Sequence, residues 1–171
     1  MNFEKFTDRA RGFIQAAQTV AQREDHQKLA PEHMLKALLD DEQGMAGNLI
    51  TKAGGDVREV RAANDAAMAK LPKVTGDAGQ VYIDSQTVKV LDEAEKLATK
   101  AGDSFVPVER ILTALALVKS PAKSALEAGG VNAQSLNAAI NDIRQGRTAD
   151  TASAEDGYEA LKKYARDLTQ A

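Results

Sequence analysis

The chain repeats itself. Phe13-Ile14, Ala17 and Ala21 recur as Val90-Leu91, Ala94 and Ala98, each pair 77 positions apart. The same offset carries Leu29 onto Val106, Glu32 onto Glu109, Leu35 onto Leu112 and Leu38 onto Leu115. Ala53-Gly54-Gly55 matches Ala128-Gly129-Gly130 at an offset of 75, so a two-residue indel lies between the matched blocks. A duplication of this extent restricts the fold, because whatever supersecondary unit one copy forms the other must form too.

Each copy reads as four helices. The first begins at Thr7, whose hydroxyl can cap free backbone N–H groups, and carries Phe6, Ala10, Phe13, Ala17 and Ala21 at spacings of three and four. Its counterpart begins at Asp84, with Val90, Ala94, Leu97 and Ala101 as the stripe and Asp92 and Lys96 one turn apart outside it. Pro31 and Pro107 open the second helices, where a missing N–H costs nothing. In the second copy that helix has Val108, Ile111, Leu112 and Leu115 on one face. Short third helices end at the glycine pairs. Asp56 and Asn132 cap the fourth, the last of which spaces Leu136, Ala139, Ile140 and Ile143 for burial.

Two stretches interrupt this pattern. Leu71 to Ile83, with Pro72, Gly76 and Gly79, links the copies. Residues 146–157 are polar and read as a flexible linker, followed at 158–171 by a helical segment with too little apolar area to fold alone. The predicted architecture is therefore all-α: a pseudo-twofold duplication of a four-helix motif over 1–145, with copies at about 6–70 and 83–145, then the linker and a short helical tail. The composition fits, since 43% of residues are hydrophobic and there is no Trp; an alanine-rich core lets helices approach closely.

Composition also excludes chemistry. Without Cys there are no disulfides, thiolate metal sites or Cys nucleophiles. No apolar run approaches the roughly 20 residues that span a bilayer, and the start Met1-Asn2-Phe3-Glu4-Lys5 lacks the regions of a secretory signal; the cytoplasm is the expected address and no membrane partner is expected. A net charge of −3 with interspersed signs argues against a nucleic-acid surface. No Gly-x-Ser-x-Gly or Gly-x-x-x-x-Gly-Lys-Ser/Thr motif is present, so no catalytic residue is assigned. His26 and His33 lack the spacing of a helical metal pair, and Asp40-Asp41-Glu42 lacks the alternation of a calcium loop; both groups read as solvated surface, with no metal expected. Arg144 and Arg147 read as a solvated helix end.

Phe6-Thr7-Asp8-Arg9-Ala10 and Pro31-Glu32-His33-Met34-Leu35 resemble the Clp amino-terminal repeat domain over roughly residues 1–145. Tyr158-Glu159-Ala160-Leu161-Lys162-Lys163-Tyr164, followed by Arg166-Asp167-Leu168-Thr169, resembles the ClpB-type segment leading into a first ATPase module, here truncated. The resemblance implies the substrate-binding domain of a hexameric, ATP-driven machine that disaggregates stress-denatured proteins with a DnaK-type chaperone system. The fragment itself would be monomeric and without cofactor, with ATP and magnesium bound by the full-length protein. An adaptor-docking domain of a proteolytic Clp unfoldase and a scaffold that steadies the ring are the competing readings.

The same resemblance associates Thr7, Asp103 and Glu109 with chaperone function. Each also has a local structural role open to it: an N-cap, a turn former, and a first-turn acid suited to the helix dipole. An apolar groove for unfolded, aggregated protein is implied too, with Leu91, Leu97 and Phe105 as candidate lining residues and core packing as their alternative. Relatives often carry apolar residues where this chain has Glu93 and Arg110, charges that would shrink such a surface.

Overall fold

The computed structural model describes residues 3–41, 44–74 and 80–156; the segment read as the start of an ATPase module, 158–171, lies outside them. Eight α-helices are present among the described residues. The first copy holds α1 (Asp8–Arg23), α2 (Pro31–Asp40), α3 (Met45–Lys52) and α4 (Val57–Ala69). The second holds α5 (Ser85–Lys100), α6 (Val108–Leu117), α7 (Pro121–Ala128) and α8 (Ala133–Arg144). The capping chemistry is local: Thr7, Asp56 and Asn132 accept from the first-turn amides of α1, α4 and α8. Asp84 stands at the start of α5 but makes no side-chain cap bond, and Pro107 occupies the N-cap of α6 where Pro31 is the first residue of α2.

The middle of the molecule is α2 and α6. Residues Pro31–Leu35 and Ala37–Leu39 of α2, and every residue of α6 from Val108 to Ala116, are buried. A helix covered all round is core rather than amphipathic surface. α1 packs on α2, and α5 on α6; across the copies, α4 packs on α7 and α3 on α8.

The copies are interlaced at their entrances. Two-residue strands β1 (Lys28–Leu29) and β2 (Tyr82–Ile83) pair in parallel, with Leu29 opposite Ile83, and a parallel bridge joins Phe6 to Val106. These two contacts are the same contact made twice, since the duplication offset carries Phe6 onto Ile83 and Leu29 onto Val106. Thr7 N donates to Val106 O at 3.0 Å and Asp84 N to Leu29 O at 3.1 Å, again a matched pair. Each copy's first helix is thus seated by the loop of the other copy, which is why the duplication forms one core and not two.

The glycine pairs meet at the pseudo-twofold interface. Gly54 and Gly130 end α3 and α7 with φ of 89° and 82°, the left-handed conformation that glycine takes at no steric cost. Gly129 matters for space: its carbonyl accepts from Asp56 N at 2.9 Å, and a Cβ there would sit 2.2 Å from Val60 Cγ2 and 3.0 Å from the Asp56 carbonyl oxygen. Because Val60 is fully buried, Gly129→Ala is expected to cost about 2 kcal/mol as overpacking against backbone. An unchanged urea midpoint would show that the interface yields freely.

Candidate functional site

At the open end of the second copy the chain brings together residues far apart in sequence. The loop after α5 places Asp103 against the arginines of two helices. Asp103 Oδ2 accepts from Arg110 Nε at 3.2 Å, and Oδ1 accepts from Arg144 Nη1 at 2.7 Å and from the Ala149 amide at 2.9 Å. Arg144 Nη2 lies 3.3 Å from Glu109 Oε1. All four charged side chains are buried, so each sign needs its counter-charge. Burial alone would raise the Asp103 pKa, but the Arg144 hydrogen bond, the Ala149 amide and the two guanidinium charges outweigh it and hold the carboxyl below its ordinary value. Buried charges that neutralise one another in this way form a structural cluster.

Thr7 belongs to the same end. Its hydroxyl accepts from Ala10 N at 3.1 Å and donates to Glu155 Oε2 at 2.5 Å, and the same oxygen accepts from Val108 N at 3.1 Å. Glu155 therefore presents its carboxylate to the first amide of α6, where the helix dipole favours negative charge. Residues 147–156, read as part of a flexible linker, lie here as a strap along the bundle. Phe105 N donates to Ala149 O and Asp8 N to Ala152 O, both at 2.8 Å, and Arg9 pairs with Asp156. Ala149 and Glu155 are buried. Glu155→Ala is expected to destabilise the chain by about 1–2 kcal/mol, as befits two lost bonds to a buried carboxylate. It should also speed hydrogen exchange at the Val108 amide; unaltered exchange there would contradict the role given to the strap.

Beside this cluster α5, α6, α8 and the strap's first residues enclose a groove of ≈ 700 Å³. Leu97 is half-buried and Leu117 is 42% exposed; both line it, with Arg110, Asn137 and Arg147 among the polar groups. Of the residues nominated from sequence, Thr7, Asp103 and Glu109 converge, but beneath the surface, at 0%, 8% and 1% exposure. Leu97 lines the groove. Leu91, nominated as a lining residue, is instead fully buried in the core, because it sits on the face of α5 with Val90, Ala94 and Ala98. Phe105 is half-buried and meets the strap through its backbone. Arg110, one of the two charges expected to shrink the apolar surface, turns inward to Asp103; Glu93 is half-buried on α5.

Sequence reasoning missed two members of the cluster. Arg144, read as a solvated helix end, is buried and ion-paired; it follows Leu136 and Ile140 at four-residue spacing, and an arginine on an apolar stripe signals a buried partner. Glu155 had no such signal, since the strap has no periodicity. A third correction concerns His26 and His33, which are buried rather than solvated. The duplication offset carries His26 onto Asp103 and His33 onto Arg110, so a pair of imidazoles occupies in copy one the place of an ion pair in copy two. Ala30 N donates to His33 Nδ1 at 2.9 Å, which leaves the proton on His33 Nε2 to be given to His26 Nδ1 at 2.8 Å. Among the described residues no cluster of three or more His, Asp or Glu could hold a metal, and no helix is long and apolar enough to cross a membrane.

The model of the Clp repeat (R) N-terminal domain matches residues 5–129. The chain is 60% identical over 171 residues to the chaperone protein ClpB of Agrobacterium fabrum, covering 99% of this chain and 20% of that protein. With the chaperone protein ClpB of Rhodopseudomonas palustris it shares 60% over 173 residues, covering 100% of this chain and 20% of that protein. It thus spans about one fifth of the length of these curated relatives. The fold is similar to that of the Hsp104 N-terminal domain from Candida albicans, with a TM-score of 0.77, 23% identity, and coverage of 87% of this chain and 97% of that one. With the family model matching well over half of the chain, from before α1 to the end of α7, the chain belongs to the Clp repeat N-terminal domain family.

Proposed function

We propose that this chain is the substrate-binding module of a ClpB-type chaperone, capturing exposed apolar segments of unfolded or aggregated protein. The observation that carries this reading is the groove between α5, α6 and α8, an open concave surface in which Leu97 and Leu117 stand beside amide side chains that can pair with an extended backbone. The 60% identity to proteins named chaperone ClpB, over essentially the whole chain, supports it and does not favour the proteolytic-unfoldase alternative. In this reading Leu97 touches substrate. Thr7, Asp103 and Glu109 are positioning residues: they hold the loop and the strap that frame the groove.

The rest of the machine is part of the same proposal. ATP hydrolysis with magnesium would belong to the longer protein, as would hexamer assembly and cooperation with a DnaK-type system in the cytoplasm. A shallow site with weak affinity suits such a ring, because six tethered copies multiply the capture of one disordered chain. NMR titration with an unfolded apolar client tests the proposal. Shift changes at Leu97, Leu117 and the amides of Asn137 and Asn141 are expected; an unchanged spectrum at high client concentration would remove substrate binding from this module.

A further inference from the structure

The groove is electrically one-sided in a chain that is net acidic. Its lining includes Lys100, Arg110, Arg144 and Arg147 and no carboxylate, while the whole chain carries a net charge of −3. The two inner arginines are matched by Asp103 and Glu109 beneath the surface. The surplus is therefore Lys100, from the last turn of α5, and Arg147, from the strap. Both are exposed, and neither is in an ion pair among the described residues. The same lining holds the apolar side chains of Leu97 and Leu117 and the amides of Asn137 and Asn141.

We infer that the groove selects polypeptide segments in which apolar residues are flanked by carboxylates, Asp, Glu or a chain end, over segments flanked by Lys or Arg. This deepens the substrate-binding reading above and rests on it. The apolar residues of such a segment would cover Leu97 and Leu117, its backbone would meet the Asn side chains, and its carboxylates would pair with Lys100 and Arg147. Complementarity of this kind sets preference and register more than raw affinity, which fits a site that must accept many sequences yet release them. Two surplus cations are too few to hold a nucleic-acid backbone, where each neutralised phosphate adds to the binding. The strap has a direct part in the selection, because it contributes Arg147 and Thr148 to the lining.

The test uses two fluorescent peptides with the same apolar centre, one flanked by Asp and Glu and one by Lys, titrated into the chain and into a Lys100→Glu/Arg147→Glu variant. Both positions are exposed, and circular dichroism would verify that the variant folds. At low salt the acidic peptide should bind about fivefold to tenfold more tightly, as two exposed ion pairs can supply. The gap should narrow at about 0.5 M salt, where the screening length is a few ångströms, and the order should reverse in the variant. Equal affinities, a preference that survives the charge reversal, or equal displacement by an oligodeoxynucleotide would overturn the inference. If an unfolded client binds while the acidic peptide shows no advantage, the substrate-binding reading stands and the selectivity falls; if client and peptides all fail to bind, both fall together.

Discussion

Asp103→Ala is expected to lower the unfolding free energy by about 3–5 kcal/mol, the cost of stranding buried charge when one partner of an ion pair is removed. The side chains of Arg110 and Arg144 are 5% and 4% exposed, and Asp103 is their shared carboxylate. Glu109 remains near Arg144, but Arg110 would keep only its 3.4 Å bond to Asn137. The Ala149 amide would lose its acceptor as well, which ties stability to the docking of the strap. Asp103→Asn, which keeps the shape and one accepting oxygen, should cost less than alanine while still leaving excess positive charge. Urea unfolding measures the loss, and trypsin cleavage after Arg147 measures strap release; the alanine variant should be cut faster. A midpoint and a cleavage rate both equal to the parent's would remove Asp103 from the centre of this end of the fold. The depressed pKa of Asp103 has its own signature: its contribution is complete above the ordinary carboxyl value of 3.8 and is lost as pH falls through the lower folded value.

The second large effect comes from the other copy. His33 has its pKa pushed down from 6.5 to about 4, by burial first and by neighbouring His26 second. The hydrogen-bond geometry explains the direction, since a proton added at Nδ1 would face the Ala30 N–H, donor against donor. Above pH 6.5 His33 is neutral in both states. Between 6.5 and about 4 the unfolded chain takes up a proton that the folded chain refuses, so stability falls as pH falls through that window, by about 3 kcal/mol in total for this residue. His26, also depressed, works in the same direction. Glu32, whose pKa burial raises, works against them, because protonating it favours the folded chain.

His33→Gln isolates the histidine. His33 is the third residue of α2, the position from which a glutamine side chain can accept from the N-cap amide, so the Ala30 contact can be kept while the titration is removed. Urea midpoints at pH 7.5 and 4.5 should separate strongly for the parent and much less for the variant. Equal separations would mean that His33 does not govern the acid sensitivity.

The helical starts and stops were legible from the residues alone because they rest on bonds within one turn. Thr7, Asp56 and Asn132 cap by reaching two or three residues ahead, and Gly54 and Gly130 stop helices by their own backbone freedom. The duplication likewise foretold two four-helix copies, and the stripe on α8 named its buried face, whereas α6, read with one apolar face, is covered all round. An apolar stripe, however, says only that a face is covered. Leu91 and Leu97 lie on the same helix, yet one has no exposed surface and the other lines the groove. That difference depends on where α6, α8 and the strap end up.

The interlacing of the copies through Phe6–Val106 and Leu29–Ile83 was beyond any local reading, since each partner lies in the other copy. The buried polar groups were hidden for a different reason, since several of their partners lie in the same copy but on other elements. Whether Arg144, Glu155 or His33 is solvated or buried is decided by whether a matching group arrives to share the desolvation. Those groups arrive from 41, 148 and 7 residues away. The amino-acid sequence by itself determined the helices, their ends and their apolar faces, because short-range geometry and hydrophobic period suffice for these. Only the tertiary structure decided which charges are buried, where the strap lies and which apolar side chains stay open to a ligand, because a charge in low dielectric is tolerable only beside a partner that folding supplies.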